Sequence, residues 1–195
     1  MELKATSDEL LSKVPEVTLL FWVIKIAATT FGETAGDAVS MSLNLGYLIG
    51  TLIFAVIFAG AVVAQIAARE FRPFLYWTTI IASTTVGTTL ADFVDRSLGI
   101  GYAGGTTLLI TLLMMSLFAW YRTLGSISID TVRSPKSEMF YWVTIMLSQT
   151  LGTALGDWSA DTAGLGYIGG AVLFSALLAL VAAAYLWSDI SRTLL

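Results

Sequence analysis

Long uncharged apolar runs alternate along the chain with segments that carry polar and charged residues. Three runs, residues 43–68, 97–121 and 162–188, contain no charged side chain. Each run exceeds the roughly 20 residues that a helix needs to cross a hydrocarbon core about 30 Å thick. The pattern therefore predicts membrane-spanning helices, and it raises the question of why carboxylates stand between them.

The polar segments and the starts of the apolar runs repeat one another. Residues 21–51, 76–106 and 141–171 align without a gap. Seven columns are identical in all three windows: Trp22/Trp77/Trp142, Thr30/Thr85/Thr150, Gly32/Gly87/Gly152, Asp37/Asp92/Asp157, Gly46/Gly101/Gly166, Tyr47/Tyr102/Tyr167 and Gly50/Gly105/Gly170. Chance does not produce such agreement, so the chain contains a threefold internal repeat.

Each repeat is predicted to form a helical hairpin. Its first helix runs from an aromatic pair to just past the shared Asp, and its second helix starts near Gly-Tyr-x-x-Gly and continues as an uncharged run. We therefore expect an all-α integral membrane protein with six transmembrane helices, arranged as three parallel helical-hairpin repeats. These repeats span about residues 14–68, 72–122 and 136–188 of a single transmembrane domain, residues 1–195.

Basic residues indicate the orientation of this bundle. Most of them fall at the termini or in the connectors between repeats: Lys4, Lys13, Arg69, Arg72, Arg122, Arg133, Lys136 and Arg192. The predicted hairpin tips carry only Arg96. Because Lys and Arg are enriched in cytoplasmic loops, we expect cytoplasmic N- and C-termini and hairpin tips on the outside.

Composition narrows the possible functions. Only 12% of the residues are charged and the mean hydropathy is +0.81, whereas a soluble domain carries about a quarter charged residues. Cysteine and histidine are absent, which excludes thiol chemistry and removes the usual general base and transition-metal ligand. With a net charge of −4 and no basic run, the chain has the lipid bilayer as its expected partner and not nucleic acid.

The carboxylates near the ends of the first helices are candidate ion ligands. Asp37, Asp92 and Asp157 share one column, at a depth about 22 Å along the helix from the Trp column. A single such Asp is as well explained by a helix cap, but three at one depth favour a cavity and an ion path. Glu33 stands one helical turn before Asp37 and therefore on the same face. We expect these four carboxylates to form a metal site.

Other polar side chains accompany this site. The supporting candidates are Lys25, Thr30, Thr85, Gln149 and Thr150. Carboxylate and hydroxyl oxygens suit hard cations, so the sequence predicts Mn²⁺, Mg²⁺ or Ca²⁺ as a possible substrate and no prosthetic group. Lys25 either neutralises the empty site or pairs with Glu33 in a structural ion bridge. Asp95 and Asp161, near the tips, are expected to be solvated, or to form an outer mouth that concentrates cations.

The motifs resemble a known family. The stretch "KVPEVTLLFWVIKIAATTFGETAGDAVS" and the later "YWTTIIASTTVGTTLADF" and "FYWVTIMLSQTLGTALGDW" are similar to bacterial membrane-anchored proteins defined by a repeat of unknown function. This resemblance covers nearly the whole chain and implies a multi-pass protein of the bacterial inner membrane. Members of that family often carry four copies, and three are visible here. A weaker similarity links "ETAGD" to the Glu-x-Gly-Asp motif of calcium and manganese exporters.

Three functional classes follow from these observations. The leading hypothesis is a transporter, with export as the favoured direction, that moves a hard divalent cation such as manganese in exchange for protons. The alternatives are a metal-dependent membrane enzyme, and a structural or partner-binding membrane protein. Absent His and Cys and the short soluble segments argue against an enzyme. Because three hairpins give few helices to enclose a polar cavity, we also expect a homo-oligomer, most simply a dimer.

Overall fold

The computed structural model describes residues 13–15, 17–127, 132 and 134–187, and this part of the chain is helical without strands. Six helices follow one another: α1 (Leu19–Asp37), α2 (Tyr47–Ala67), α3 (Pro73–Asp92), α4 (Gly101–Leu124), α5 (Pro135–Asp157) and α6 (Gly166–Trp187). The all-α prediction and the number of helices are therefore confirmed within these residues. The predicted basic residues Lys4, Arg133 and Arg192 lie outside them.

Length and composition distinguish the two helices of each repeat. The second helices α2 and α4, and α6 over Gly166–Ala184, are long and apolar enough to cross a membrane. The first helices have similar lengths of 19, 20 and 23 residues but carry the Thr, Gly and acidic residues of the repeat. The structure thus has the character of a membrane protein with internal repeats, with three helices that meet the criteria for spanning.

Local sequence signals set the ends of the helices. The Thr18 side chain accepts a hydrogen bond from the amide of Phe21 at the start of α1, and Pro73 and Pro135 occupy the first turns of α3 and α5, where no amide hydrogen is needed. Each first helix continues into a π-helical turn, namely Ala38–Ser42, Phe93–Ser97 and Trp158–Thr162. At each tip the chain then reverses towards the second helix.

Two of the shared glycine columns are explained at these tips. Gly46, Gly101 and Gly166 have φ values of +77°, +67° and +64°, which glycine adopts without the steric cost that a Cβ imposes. Four residues later, the second column allows the π-helical turn to approach the second helix. A Cβ on Gly105 would overlap the Asp95 carboxylate, and one on Gly50 would lie 3.4 Å from the Cβ of Ser40. Both columns therefore serve the reversal of the chain.

The packing differs from three compact hairpins. Among the described residues, the two helices of one repeat are joined by their tip but do not pack extensively on each other. Instead α2 packs on α3 and α4 packs on α5, so each second helix lies against the first helix of the following repeat. The expected hairpin is thus present in the connectivity, whereas the extensive helix packing lies between repeats. The physical reason is that the small-residue faces of the first helices accept a neighbouring repeat.

The first helices form an open arc and not a ring about a threefold axis. α3 lies in the middle, packed by α1 on one side and by α5 on the other, and α1 and α5 make no extensive contact. Thirteen of the twenty residues of α3 are buried. Close approach is possible because of the Gly column: a Cβ on Gly32 would lie 2.9 Å from the Ile81 carbonyl oxygen, and one on Gly87 would lie 3.1 Å from the Thr150 amide nitrogen.

Aromatic contacts link successive repeats at the opposite end from the tips. The rings of Phe21 and Trp77 are 5.4 Å apart, and the rings of Tyr76 and Trp142 are 5.6 Å apart. These pairs occupy the same two columns, once between repeats one and two and once between repeats two and three. The hydroxyl groups of Tyr76 and Tyr141 add a 2.8 Å hydrogen bond. The same aromatic contact therefore joins repeat one to repeat two and repeat two to repeat three.

An ion pair ties the segment before α1 to the third repeat at this end. The Lys13 ammonium lies 2.7 Å from Glu138 Oε1 and donates to the carbonyl oxygens of Gln65 and Ile66 at the end of α2. The Glu138 side chain is only 2% exposed. A cation at the carbonyl end of a helix is favourable, and the contact holds residues together that are 125 positions apart.

Candidate functional site

The Arg96 guanidinium lies at the centre of a polar cluster at the tips. Its Nε atom is 3.2 Å from Asp92 Oδ1, and its Nη2 atom is 3.0 Å from Asp157 Oδ2. Its Nη1 atom donates to the Tyr47 hydroxyl at 3.2 Å, and the guanidinium carbon lies about 6 Å from the rings of Tyr47 and Tyr102. This single side chain therefore contacts groups from all three repeats.

The expected metal ligands lie around this cation with different accessibility. Asp92, at the end of the central helix α3, has a side chain that is 4% exposed, and the Asp157 side chain is 18% exposed. Asp37 is half-buried at the end of α1, and Glu33, one turn before it, is exposed. The differences follow from the arc, because within the described part of the chain α1 has a helix packed extensively against it on one side only.

Charge interactions connect these carboxylates across the repeats. Glu33 interacts with Asp37 and Asp157, and Asp92 interacts with Asp157 and Asp37. The carboxylates repel one another, whereas the positive charge of Arg96 attracts Asp37, Asp92 and Asp157. The structure thus places the four predicted carboxylates in one electrostatic cluster, which we call the acidic centre: Glu33, Asp37, Asp92 and Asp157. Its net charge is reduced by the guanidinium already present.

The acidic centre does not have the geometry of a ready-made metal site. Within the described residues, no group of three or more His, Cys, Asp or Glu side chains stands close enough to hold a metal ion. The space between Asp92 and Asp157 is occupied by the Arg96 side chain. A metal ion that used both carboxylates would therefore have to displace the guanidinium first.

Most of the expected supporting hydroxyl groups are satisfied by their own helices. Thr85 Oγ1 donates to the Ile81 carbonyl oxygen and Thr150 Oγ1 donates to the Met146 carbonyl oxygen, each at 2.8 Å. Both threonines are buried, whereas Thr30 is exposed on α1. Thr85 and Thr150 therefore contribute to helix packing, since each bonds back to its own helix and Thr150 lies against Gly87 of α3.

Gln149 and Lys25 have different surroundings from those expected. Gln149 Nε2 donates to Ser83 Oγ at 2.9 Å, and its Oε1 accepts from Thr84 Oγ1, so this amide joins α5 to α3. Lys25 is half-buried on α1. Among the described residues, its ammonium takes part in none of the salt bridges, so the ion bridge between Lys25 and Glu33 is not formed in this structure.

Asp95 contradicts the expectation of a solvated tip residue. It is 4% exposed, and neither carboxylate oxygen has a hydrogen-bond partner among the described residues. It lies in the π-helical turn outside the spanning helices, where burial, with the nearby Asp157 charge, raises the pKa of the Asp95 carboxyl to about 6 against the opposing effect of Arg96. Asp95 is buried because Gly105 has no Cβ, which allows this turn to pack closely against α4. Asp161 is exposed as expected and accepts a 2.8 Å hydrogen bond from Tyr102.

Sequence reasoning underestimated Arg96. It stands four residues after Asp92, which is the spacing of facing residues on a helix, and it is the one basic residue at the predicted tips. Those two signals together point to an internal counter-ion. The alignment of the repeats gives no such signal, because the positions that match Arg96 are Met41 and Asp161.

The comparisons with known proteins agree with the internal repeat. The model of a family described as "Repeat of Unknown Function (DUF347)" matches residues 20–71, 75–126 and 140–191. Neither the search of curated proteins nor the search of solved structures gives a match. The three matched segments cover most of the chain and coincide with the three helix pairs. The chain therefore belongs to the family defined by the repeat of unknown function DUF347.

Proposed function

We propose that this chain is a membrane transporter of a cation, with the acidic centre as its ion-binding region and Arg96 as a tethered counter-ion. The observation that carries the proposal is that one guanidinium pairs with carboxylates of the second and third repeats and bonds Tyr47 of the first, with the charges of Glu33 and Asp37 nearby. Intramembrane carboxylates that face one another are costly, and they usually mark an ion path.

The proposed topology has all six helices crossing a bacterial inner membrane. α1, α3 and α5 match the apolar helices in length, and about 20 residues suffice to cross the hydrocarbon core. Cytoplasmic termini follow from the segregation of basic residues. Reporter fusions at residue 130, in the connector between α4 and α5, should then read as cytoplasmic, and fusions at residue 97 as external. The opposite pattern at either position would refute this topology.

Ligand chemistry favours a hard divalent cation such as Mn²⁺, because carboxylate oxygens are the available donors and His and Cys are absent. A substrate ion competes with the Arg96 guanidinium for Asp92 and Asp157. In the empty transporter the guanidinium offsets part of the carboxylate charge, and in the loaded transporter the cation replaces the guanidinium at Asp92 and Asp157. Protons that replace the cation on these carboxylates allow exchange in the opposite direction.

A second candidate has a specific observation in its favour. Arg96 already forms ion pairs with Asp92 and Asp157 and bonds Tyr47, so the same cluster is a sufficient structural clamp between repeats. In that case the protein is a structural or partner-binding membrane protein, and the carboxylates move no ion. The two candidates differ in what a neutral substitution of a peripheral carboxylate does, because Asp37 and Glu33 make no salt bridge to Arg96 within the described residues.

Manganese flux into proteoliposomes separates these candidates. Asp37→Asn and Glu33→Gln keep the shape of each side chain and delete its charge, so both should abolish flux while the purified yield stays that of the parent. Glu70→Gln, in the exposed connector between α2 and α3, removes a carboxylate outside the acidic centre and serves as the matched control. Thr88→Ala, at the position that matches Glu33 in the second repeat, should reduce Mn²⁺ flux only slightly. If Asp37→Asn, Asp92→Asn and Asp157→Asn all move Mn²⁺ like the parent, the transporter proposal fails and the clamp remains.

A further inference from the structure

Among the described residues, the last helix lacks the neighbour that the repeat gives to the other second helices. α2 lies on α3 and α4 lies on α5, but in this part of the chain α6 has extensive contact only with the π-helical turn before it. Most of the described side chains of α6 are exposed. An apolar face is stable against lipid, so this exposure alone shows nothing about a partner.

Open contact columns on the third repeat give independent information. Gly32 packs on α3 and Gly87 packs on α5, whereas no atom of the described residues lies within 4 Å of a Cβ built on Gly152. At the tips, Tyr47 bonds Arg96 and Tyr102 bonds Asp161, one column repeated from each repeat to the next. The matching Tyr167 is 75% exposed. The glycine contact and the tyrosine hydrogen bond thus both occur between repeats one and two and between repeats two and three. The corresponding positions of the third repeat are left exposed.

α1 carries the surface that fits this opening. Among the described residues, α1 packs extensively only on α3 and on its own π-helical turn, and its exposed face includes large apolar side chains and Glu33. The exposed apolar residues are Leu19, Leu20, Val23, Ile26 and Phe31. A carboxylate facing lipid is expensive, so the position of Glu33 argues for a protein neighbour and not for lipid. The residues equivalent to Glu33 in repeats two and three already contact each other, since Thr88 Oγ1 and Thr153 Oγ1 are 3.4 Å apart.

We propose that two copies of this chain assemble head to tail, with α1 of each copy packed against α5 and α6 of the other. In this arrangement the partner's first repeat packs on the third repeat in the way that each repeat packs on the next within one chain. The partner's Glu33 then lies at Thr153, and the partner's Met41 lies at Tyr167. All repeats share one orientation, so both copies insert in the same direction. Such an interface joins two different surfaces, and two of them close a dimer. The acidic centre gains the partner's Glu33, a consequence that rests on the proposed function, whereas the assembly does not.

Cysteine cross-linking in native membranes tests the interface directly, because the chain has no cysteine of its own. A Glu33→Cys copy and a Thr153→Cys copy, with tags of different size, are co-expressed and oxidised. We expect a disulfide-linked heterodimer, and no covalent dimer from either variant alone. Met114→Cys, on the exposed face of α4, replaces Thr153→Cys as the matched negative control. Thr88→Cys with Thr153→Cys on one chain is the positive control and should form an internal disulfide.

A second pair leaves the carboxylates unchanged. Tyr167→Cys and Met41→Cys on separately tagged copies should be joined by a short bis-maleimide, again only in the mixture. The proposal is overturned if neither mixture cross-links while the positive control oxidises. It is also overturned if Glu33→Cys alone forms covalent dimers, since that requires two identical faces in contact. Cross-linking does not depend on Mn²⁺ flux, so a failed transport assay with an intact cross-link removes the proposed function and keeps the dimer.

Discussion

Replacing Arg96 by glutamine tests whether the guanidinium holds the three repeats together. The variant loses the 3.2 Å contact to Asp92, the 3.0 Å contact to Asp157 and the hydrogen bond to Tyr47. Asp92 is the critical partner because its side chain is only 4% exposed. Water cannot readily solvate this carboxylate once the cation is gone, so the variant must either bury an unpaired charge or protonate Asp92, and both cost free energy.

The expected magnitude follows from burial. Removing one partner of a buried ion pair costs about 3–5 kcal/mol, because the other charge is left unpaired. Asp157 is partly open to solvent, and an exposed pair contributes at most about 1 kcal/mol. We therefore expect Arg96→Gln to lower the free energy of unfolding by about 3–5 kcal/mol. Adding Asp92→Asn should recover most of this loss, since the double variant buries no unpaired charge.

Unfolding in mixed micelles, followed by tryptophan fluorescence, measures this difference. Arg122→Gln, at an exposed position near the end of α4, is the matched control and should change the free energy of unfolding by less than about 0.5 kcal/mol. The reasoning is refuted if Arg96→Gln is as stable as this control. It is equally refuted if Asp92→Asn fails to rescue the variant, because the loss would then not come from the buried carboxylate.

Three further predictions test other contacts. Gly87→Val should lower the free energy of unfolding by about 1–3 kcal/mol through overpacking against α5, whereas Gly152→Val in the same column should leave unfolding unchanged and abolish the dimer in cross-linking. Lys13→Met should cost about 3–5 kcal/mol by leaving Glu138 buried and unpaired, and Glu138→Gln in the same chain should reverse most of that loss in the micelle assay. Asp95 keeps its proton to a higher pH when folded than when unfolded, so its contribution to stability is present below about pH 4 and is lost as the pH rises through about 6. The stability of the parent relative to Asp95→Asn should therefore fall over that interval, and a pH-independent difference between the two would contradict the burial of this carboxyl.

The sequence by itself determined the repeat, the helices and the family. A helix needs only local information: apolar runs of spanning length, a Thr cap or a Pro at its start and a glycine of positive φ before the second helix are all read within a few residues. The column of Asp37, Asp92 and Asp157 likewise placed three carboxylates at one level, since equal spacing on equal helices gives equal depth. Those features follow from covalent order and periodicity.

Only the tertiary structure decided which surfaces meet. Repeated sequence does not say whether a second helix packs on its own first helix or on that of the next repeat, because both choices bury similar faces. The observed choice makes an arc, which leaves Glu33 exposed on α1 and buries Asp92 on α3 although they belong to equivalent helices. It also brings Arg96 to Asp157, 61 residues away, and presses Asp95 onto Gly105. Such contacts depend on the relative positions of whole helices, and periodicity along one helix contains no information about them.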